Sequence, residues 1–218
     1  MTCLLIVAKA PVPGYAKTRL CPPATADQAA GIAAAALLDT LEAALLTPDA
    51  HVVVAMTGDL TAAVCGPELS ATLDQVDVIL QRGSGFDVRL ANAHADTAAL
   101  HPDRPVLQIG MDTPQVTPDS LASAADLLGN GRDCVLGFAE DGGWWALGLT
   151  DPLHAKALVG VPMSQDDTGR ETLRALTEVG LCPGILPTLS DVDTMADARR
   201  VAAAIPRSRF ARAVAAVR

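Results

Sequence analysis

The chain has 218 residues, half of them hydrophobic but only 3% aromatic, and a net charge of −9. That length suits one domain with one large core, and the acidity excludes a general nucleic-acid binder, which needs a basic surface. With few aromatics, Ala, Leu and Val must fill the interior, as they do where helices pack closely on a sheet.

Cys3 to Ala8 is an apolar run too short for a helix, and it predicts a buried strand. Pro11, Pro13 and Gly14 then force an irregular turn. Lys9, Lys17 and Arg19 lie in or beside that turn, and a long Ala-rich helix follows. A strand, a Pro/Gly loop with cations and a helix N-terminus make a candidate phosphate cradle, built from Lys9, Pro13, Gly14, Lys17 and Arg19. Solvated surface cations are the plainer alternative, but three of them concentrated in an acidic chain favour phosphate. Thr25 or Asp27 is placed to cap the helix, which the alanines favour to about Leu46, with Leu37, Leu38, Leu41 and Leu45 on one apolar face. His51 to Met56 predicts a second strand, with His51 expected at the surface rather than as a ligand. A short helix to Leu73 and a third strand over Val76 to Gln81 come next. The following loop carries Arg82, Gly83 and Gly85 ahead of a helix on which His94 and His101 are expected at the surface. Gly83 would let a ligand approach the backbone, and Arg82 or Arg89 would reach phosphate; a turn that reverses the chain explains the glycines equally well.

Pro105 to Gly110 predicts the fourth strand, running into Met111-Asp112-Thr113-Pro114 before a helix that opens at Thr117 and Pro118. Asp112 thus stands at the carboxyl end of a central strand, where ligands bind in open α/β sheets. A carboxylate is costly to bury unpaired. A divalent cation explains one there; helix capping is the alternative, but the helix opens several residues later. Cys134 to Ala139 and Trp144 to Leu149 predict two strands joined by Glu140-Asp141-Gly142-Gly143. A parallel crossover needs about a dozen residues, so this pair is expected to be antiparallel. The Asp-Gly-Gly turn can be a plain hairpin or the acidic lip of a pocket walled by Trp144 and Trp145, with core filling as the alternative for one of them. Val161 to Gly169 is a polar loop in which Ser164 and Thr168 are candidate acceptor contacts or helix caps, before a helix ended by Gly180. Gly184 to Pro187 is a short strand. Asp191 and Asp193 sit two apart on an extended segment and point to one side, as a cation pair would require. Asp193 or Thr194 can also cap the helix that begins near Met195. The tail from Ser208 to Arg218 is basic and Ala-rich, and is expected as a solvated helix, with a homodimer contact as a further role.

Strand and helix patterns alternate without repeat or linker. They predict one α/β domain over residues 1–218, three layers α/β/α, with a mixed, mainly parallel sheet. No charged segment followed by a long apolar one opens the chain, so neither a signal peptide nor a membrane span is expected. Cys3, Cys21, Cys65, Cys134 and Cys182 are odd in number and lack zinc-ligand spacing. They are expected as reduced, mostly buried thiols of a cytoplasmic protein.

Four motifs occur in order: Lys9-Ala-Pro-Val-Pro-Gly-Tyr-Ala-Lys-Thr-Arg-Leu20, Gly110-Met-Asp-Thr-Pro114, Glu140-Asp-Gly-Gly-Trp-Trp145 and Asp191-Val-Asp-Thr194. Together they resemble the bacterial GT-A-fold nucleotide-diphospho-sugar transferase-like family, which includes glycosyltransferases and radical-SAM- and selenodomain-associated transferases. The resemblance spans Leu4 to about Val201. The first loop is also similar to that of the 2-phospholactate and, more distantly, the molybdenum-cofactor guanylyltransferases. The resemblance implies a Rossmann-like GT-A fold and a transferase dependent on Mg²⁺ or Mn²⁺. It implies Lys17 and Arg19 as phosphate ligands, Pro13 and Gly14 as turn formers, Asp112 as a metal ligand, and Asp191 or Asp193 as a second one. Lys17, Asp112 and Asp141 are then the expected catalytic residues, with Asp141 as general base. Lys9 and Gly83 join the nucleotide side, and Gly142, Gly143, Trp144 and Ser164 the acceptor side. Glycosyl transfer from a sugar nucleotide to a small-molecule acceptor is the first expectation. Nucleotidyl transfer from a nucleoside triphosphate to a small phosphorylated acceptor is the alternative, and a non-catalytic nucleotide-binding module the third.

Overall fold

A computed structural model describes residues 1–217; Arg218, the last residue of the expected basic tail, lies outside the described residues. Among the described residues, seven strands form one sheet: β1 (Thr2–Lys9), β2 (Ala50–Thr57), β3 (Asp77–Leu80), β4 (Val106–Gly110), β5 (Cys134–Ala139), β6 (Trp144–Leu149) and β7 (Gly184–Leu189). Their order is β3-β2-β1-β4-β6-β5-β7. β6 runs against both β4 and β5, and every other pairing is parallel. The sheet is therefore mixed and mainly parallel, and the short 140–143 link makes the antiparallel pair. The carboxyl ends of β1, β4, β5 and β7 and the amino end of β6 all meet at one edge.

The helices are α1 (Ala26–Leu45), α2 (Gly66–Leu73), α3 (Phe86–Leu100), α4 (Pro118–Gly129), α5 (Thr168–Glu178), α6 (Met195–Ala204) and α7 (Arg209–Ala215). Thr25, Thr117 and Thr194 each open a helix with a capping box, closed by Gln28, Ser120 and Asp197. Thr25 rather than Asp27, and Thr194 rather than Asp193, is thus the cap. A 3-10 segment over Pro152–Leu158 packs on α3, an element no sequence pattern announced.

β1 is buried on both faces, as a central parallel strand should be. Leu4, Ile6 and Ala8 join the core beneath α1 and α4, while Cys3, Leu5 and Val7 join the core beneath α3 and α5. α1 lies between two cores. Ala33, Ala34, Leu37 and Leu41 meet the sheet, and Ala29, Ile32 and Ala36 meet α6 and α7. Its length and apolar character would suffice for a membrane span, but burial on two sides makes it a core helix. Leu45, expected on the apolar face, is partly exposed at the helix end.

Three expectations are corrected. The C-terminal tail is docked, not solvated: Phe210 is fully buried with Val214 and Val217 against α1 and α6. Asp39 of α1 accepts hydrogen bonds from the backbone N–H groups of Arg209 (3.2 Å) and Phe210 (2.8 Å), so a carboxylate meets the positive end of α7. His94 is fully buried rather than at the surface of α3, and burial pushes its pKa down to about 4. The cysteines are all free, but Cys65 and Cys182 are exposed.

Phe210→Ala should cost about 3–5 kcal/mol, the usual range for emptying a buried aromatic site. Urea unfolding checks this; a loss below about 1 kcal/mol would mean that α7 contributes little to the fold.

Candidate active site

The motif residues converge at the common strand edge, on a cleft of about 740 Å³. The loop after β1 brings Lys17 inward with a left-handed backbone (φ 51°). Its ammonium lies 2.8 Å from Asp112 Oδ2 at the end of β4 and 3.4 Å from Asp193 Oδ1 beyond β7. It also donates to the Val192 carbonyl. The side chain is only 11% exposed. Burial alone would depress its pKa, but Asp112 and then Asp193 outweigh that and hold it above the ordinary lysine value. Arg19 closes on the other oxygen of Asp193 at 2.8 Å.

Asp191 is the contrasting carboxylate. Its Oδ1 is buried and has no hydrogen-bond partner. Burial, with the negative charges of Asp112 and Asp141, pushes its pKa from an ordinary 3.8 up to about 8. The segment bearing it is held from three sides. Gln115 Nε2 donates to the Ser190 carbonyl (2.6 Å), an Arg200 N–H donates to Ser190 Oγ (2.7 Å), and the Val192 N–H donates to the Asp112 carbonyl (3.3 Å). A desolvated carboxylate fixed beside two others, with an orphaned oxygen, fits a cation. Asp193 fits one less well, because Lys17 and Arg19 already neutralise it. Asp112, Asp191 and Asp193 all line the cleft.

The β5–β6 turn forms the facing wall. Asp141 Oδ1 accepts from the Gly143 N–H at 2.8 Å, which fixes the carboxylate over the turn. A side chain at Gly142 would sit 1.8 Å from the Asp166 carbonyl, so the turn can seat against the loop before α5 only with glycine there. Gly143, Trp144 and Ser164 line the cleft with Asp141. Trp145 is buried and donates to the Pro187 carbonyl at 3.0 Å. Both tryptophans border the cleft, and Trp145 is also part of the core. Thr168 is engaged within its own loop, donating to the Pro162 carbonyl and accepting from the Gln165 N–H.

Pro13, Gly14, Gly83 and Gly142 are not among the lining residues, whereas Lys9 lines the cleft while its ammonium holds the Tyr15 carbonyl at 2.7 Å. Arg82 is taken by a two-point pairing with Asp96, and Arg89 lies over the Phe86 ring; neither lines the cleft. Sequence reasoning missed Gln108, Thr113, Phe86 and Met163, which do line it. Gln108, buried with an unpartnered Oε1, had a signal: it is the one polar residue in the apolar run of β4.

These elements make a Rossmann-like α/β fold with a cationic loop after the first strand and carboxylates at the strand ends. Residues 40–165 match the family described as "Uncharacterized protein conserved in bacteria (DUF2064)", and the chain belongs to that family. No curated protein matches the chain. Among solved structures, a candidate nucleotide-diphospho-sugar transferase from Desulfovibrio desulfuricans G20 superposes with a TM-score of 0.83 at 25% identity, over 99% of this chain and 95% of that one. A CMP:2-keto-3-deoxy-manno-octonic acid synthetase complexed with CTP gives 0.57 at 12% identity, over 95% and 99%. A cytidylyltransferase from Leptospira borgpetersenii serovar Hardjo-bovis gives 0.58 at 16%, over 99% and 93%. These last two share the fold.

The Asp191 environment sets a pH dependence for the metal-free protein. The folded chain keeps a proton that the unfolded chain loses near pH 3.8, so this contribution is complete below that pH and lost as pH rises through about 8. Asp191→Asn, which cannot titrate, should flatten the decline and leave the variant the more stable of the two at pH 8. Unfolding followed from pH 4 to 8 without divalent ions checks both; an unchanged slope would show that Asp191 is solvated.

Proposed function

We propose that the protein is a metal-dependent transferase acting on a nucleotide diphosphate linkage, with glycosyl transfer from a sugar nucleotide as the reaction. The observation that carries this is the pairing of opposites at the strand edge: a buried ammonium and an exposed guanidinium beside a carboxylate that lacks a counter-charge. The likeness to the Desulfovibrio desulfuricans structure supports the choice of donor class.

Asp112 and Asp191 are the residues that would hold Mg²⁺ or Mn²⁺. Among the described residues they do not belong to a preformed cluster of three close donors. Mg²⁺ needs none, since it binds through one or two carboxylates plus substrate phosphates. Bound there, it would supply Lewis-acid neutralisation of the phosphoryl oxygens. Lys17 and Arg19 stabilise the negative charge that grows on the departing diphosphate, and their fixed positions avoid reorganisation at that moment. Trp144 and Ser164 shape the acceptor side. Asp141, oriented by Gly143, takes the proton of the acceptor hydroxyl. The five free thiols fit a reducing, cytoplasmic setting.

Nucleotidyl transfer is the second reading, and the three cations of the first loop favour it, because a triphosphate gains most from them. The product decides: a nucleoside diphosphate for glycosyl transfer, pyrophosphate for nucleotidyl transfer. A thermal-shift panel of both substrate classes, with and without Mg²⁺ or Mn²⁺, finds the donor first. A ligand at about a hundred times its Kd adds roughly 2.7 kcal/mol. With the donor in hand, Lys17→Met and Asp112→Asn should each lower kcat at least about 100-fold. Full metal-dependent turnover in Asp112→Asn would remove it from the metal site, and binding without turnover across the panel would leave a nucleotide-binding module.

A further inference from the structure

A second cluster of metal-type donors lies at the opposite edge of the sheet from the cleft. His51 is near the start of β2, Asp77 opens β3, and His101 ends α3. The amino ends of two parallel strands and the end of one helix bring together residues that are 24 and 26 positions apart. Both imidazole Nε2 atoms converge on a single oxygen, Asp77 Oδ2, at 3.2 Å from His51 and 2.8 Å from His101. The rings meet edge to face with centroids 4.1 Å apart. One donor atom of each residue lies within 4.8 Å of the other two, the one such group of three among the described residues.

These spacings resemble those around a tetrahedral ion. Bonds of about 2.0–2.1 Å place neighbouring ligand atoms roughly 3.3 Å apart. The His51–Asp77 spacing already agrees, and the His101–Asp77 spacing has only to open by a small side-chain rotation. The donor set is two imidazoles and one carboxylate, which suits Zn²⁺ and its first-row neighbours; Mg²⁺ and Ca²⁺ prefer oxygen throughout. His101 is 14% exposed, while His51 and Asp77 are 42% and 41% exposed. The inner ligand is therefore shielded, and the outer two leave a solvent-facing fourth position for water.

We propose that His51, Asp77 and His101 form a transition-metal site of the Zn²⁺ class with water as the fourth ligand, separate from the acidic cleft. β3 has four residues, lies at the sheet's edge and exposes Val78 and Leu80. An ion here ties the start of that strand to β2 and to the end of α3. The other end of α3 carries Phe86 and Leu90 to the cleft wall, so the ion holds the helix from behind.

The test uses the full chain, stripped with a chelator and titrated with Zn²⁺ or Co²⁺ in excess Mg²⁺, which occupies oxygen-rich sites. One equivalent should bind, raise the melting temperature and give a Co²⁺ spectrum of tetrahedral type without thiolate charge-transfer bands. His51→Gln, Asp77→Asn and His101→Gln should each weaken binding at least about tenfold, since even outer-shell partners cost about 10–100-fold. His51 is exposed enough for its variant to fold even if the His101 variant does not. Affinity unchanged in His51→Gln and Asp77→Asn, binding abolished by cysteine alkylation, or no saturable binding would each overturn the proposal. The last result would leave a His–Asp–His hydrogen-bond network alone.

Discussion

The buried ammonium of Lys17 is the constraint on which the strand-edge architecture depends. A cation taken out of water costs several kcal/mol unless it is paired and hydrogen-bonded. Its partners come from the end of β4 and from the segment after β7, so satisfying it brings three loops together. The same pairing sorts the carboxylates. Asp193 is neutralised twice, Asp112 gives one oxygen to Lys17, and Asp191 is left desolvated without a cation. The left-handed backbone at Lys17 is the local cost of turning its side chain inward, and such strain persists where the surroundings over-determine it.

Packing around that edge follows from a shortage of aromatics. Alanines let α1 lie close to the sheet on one side and to α6 and α7 on the other, so a single helix separates two cores. The few large rings are then used sparingly. β6 turns Trp145 into the core, over Gly137, where any side chain would come within 2.4 Å of the indole nitrogen. The neighbouring Trp144 faces the cleft. Trp145 borders the cleft too, so one indole serves the interior and the site at once.

Much of this was readable in the chain. Apolar runs located all seven strands, helix starts were legible with the cap open between Thr25 and Asp27 and between Asp193 and Thr194, and a link too short for a crossover located the reversed strand. What local pattern does not carry is pairing across distance. Asp191 and Asp193 look interchangeable until Arg19 and Lys17 are seen to claim one of them. His94 reads as a surface residue because nothing nearby shows that the 3-10 segment and β4 close over α3. The basic tail hid its anchor, since Phe210 and Val214 take their meaning from Asp39 and Ile32 of α1. Pro13, Gly14 and Gly83 are expected on the nucleotide side, but a residue that bends a loop need not line the cavity that the loop encloses, and these three do not.

The span of the Lys17 contacts also orders events during synthesis. Its ammonium and the Asp193 carboxylate are 176 residues apart in the chain. At about 5–20 residues per second, the ribosome needs roughly 9–35 s to make that interval. Until then the first loop has no full set of partners and must stay hydrated, however early β1 and α1 associate. α7 emerges later still, so the outer face of α1 waits with its alanines and Ile32 uncovered. The site and the second core are therefore last to close, and the nascent chain passes through a long interval in which its most apolar helix is covered on one side only.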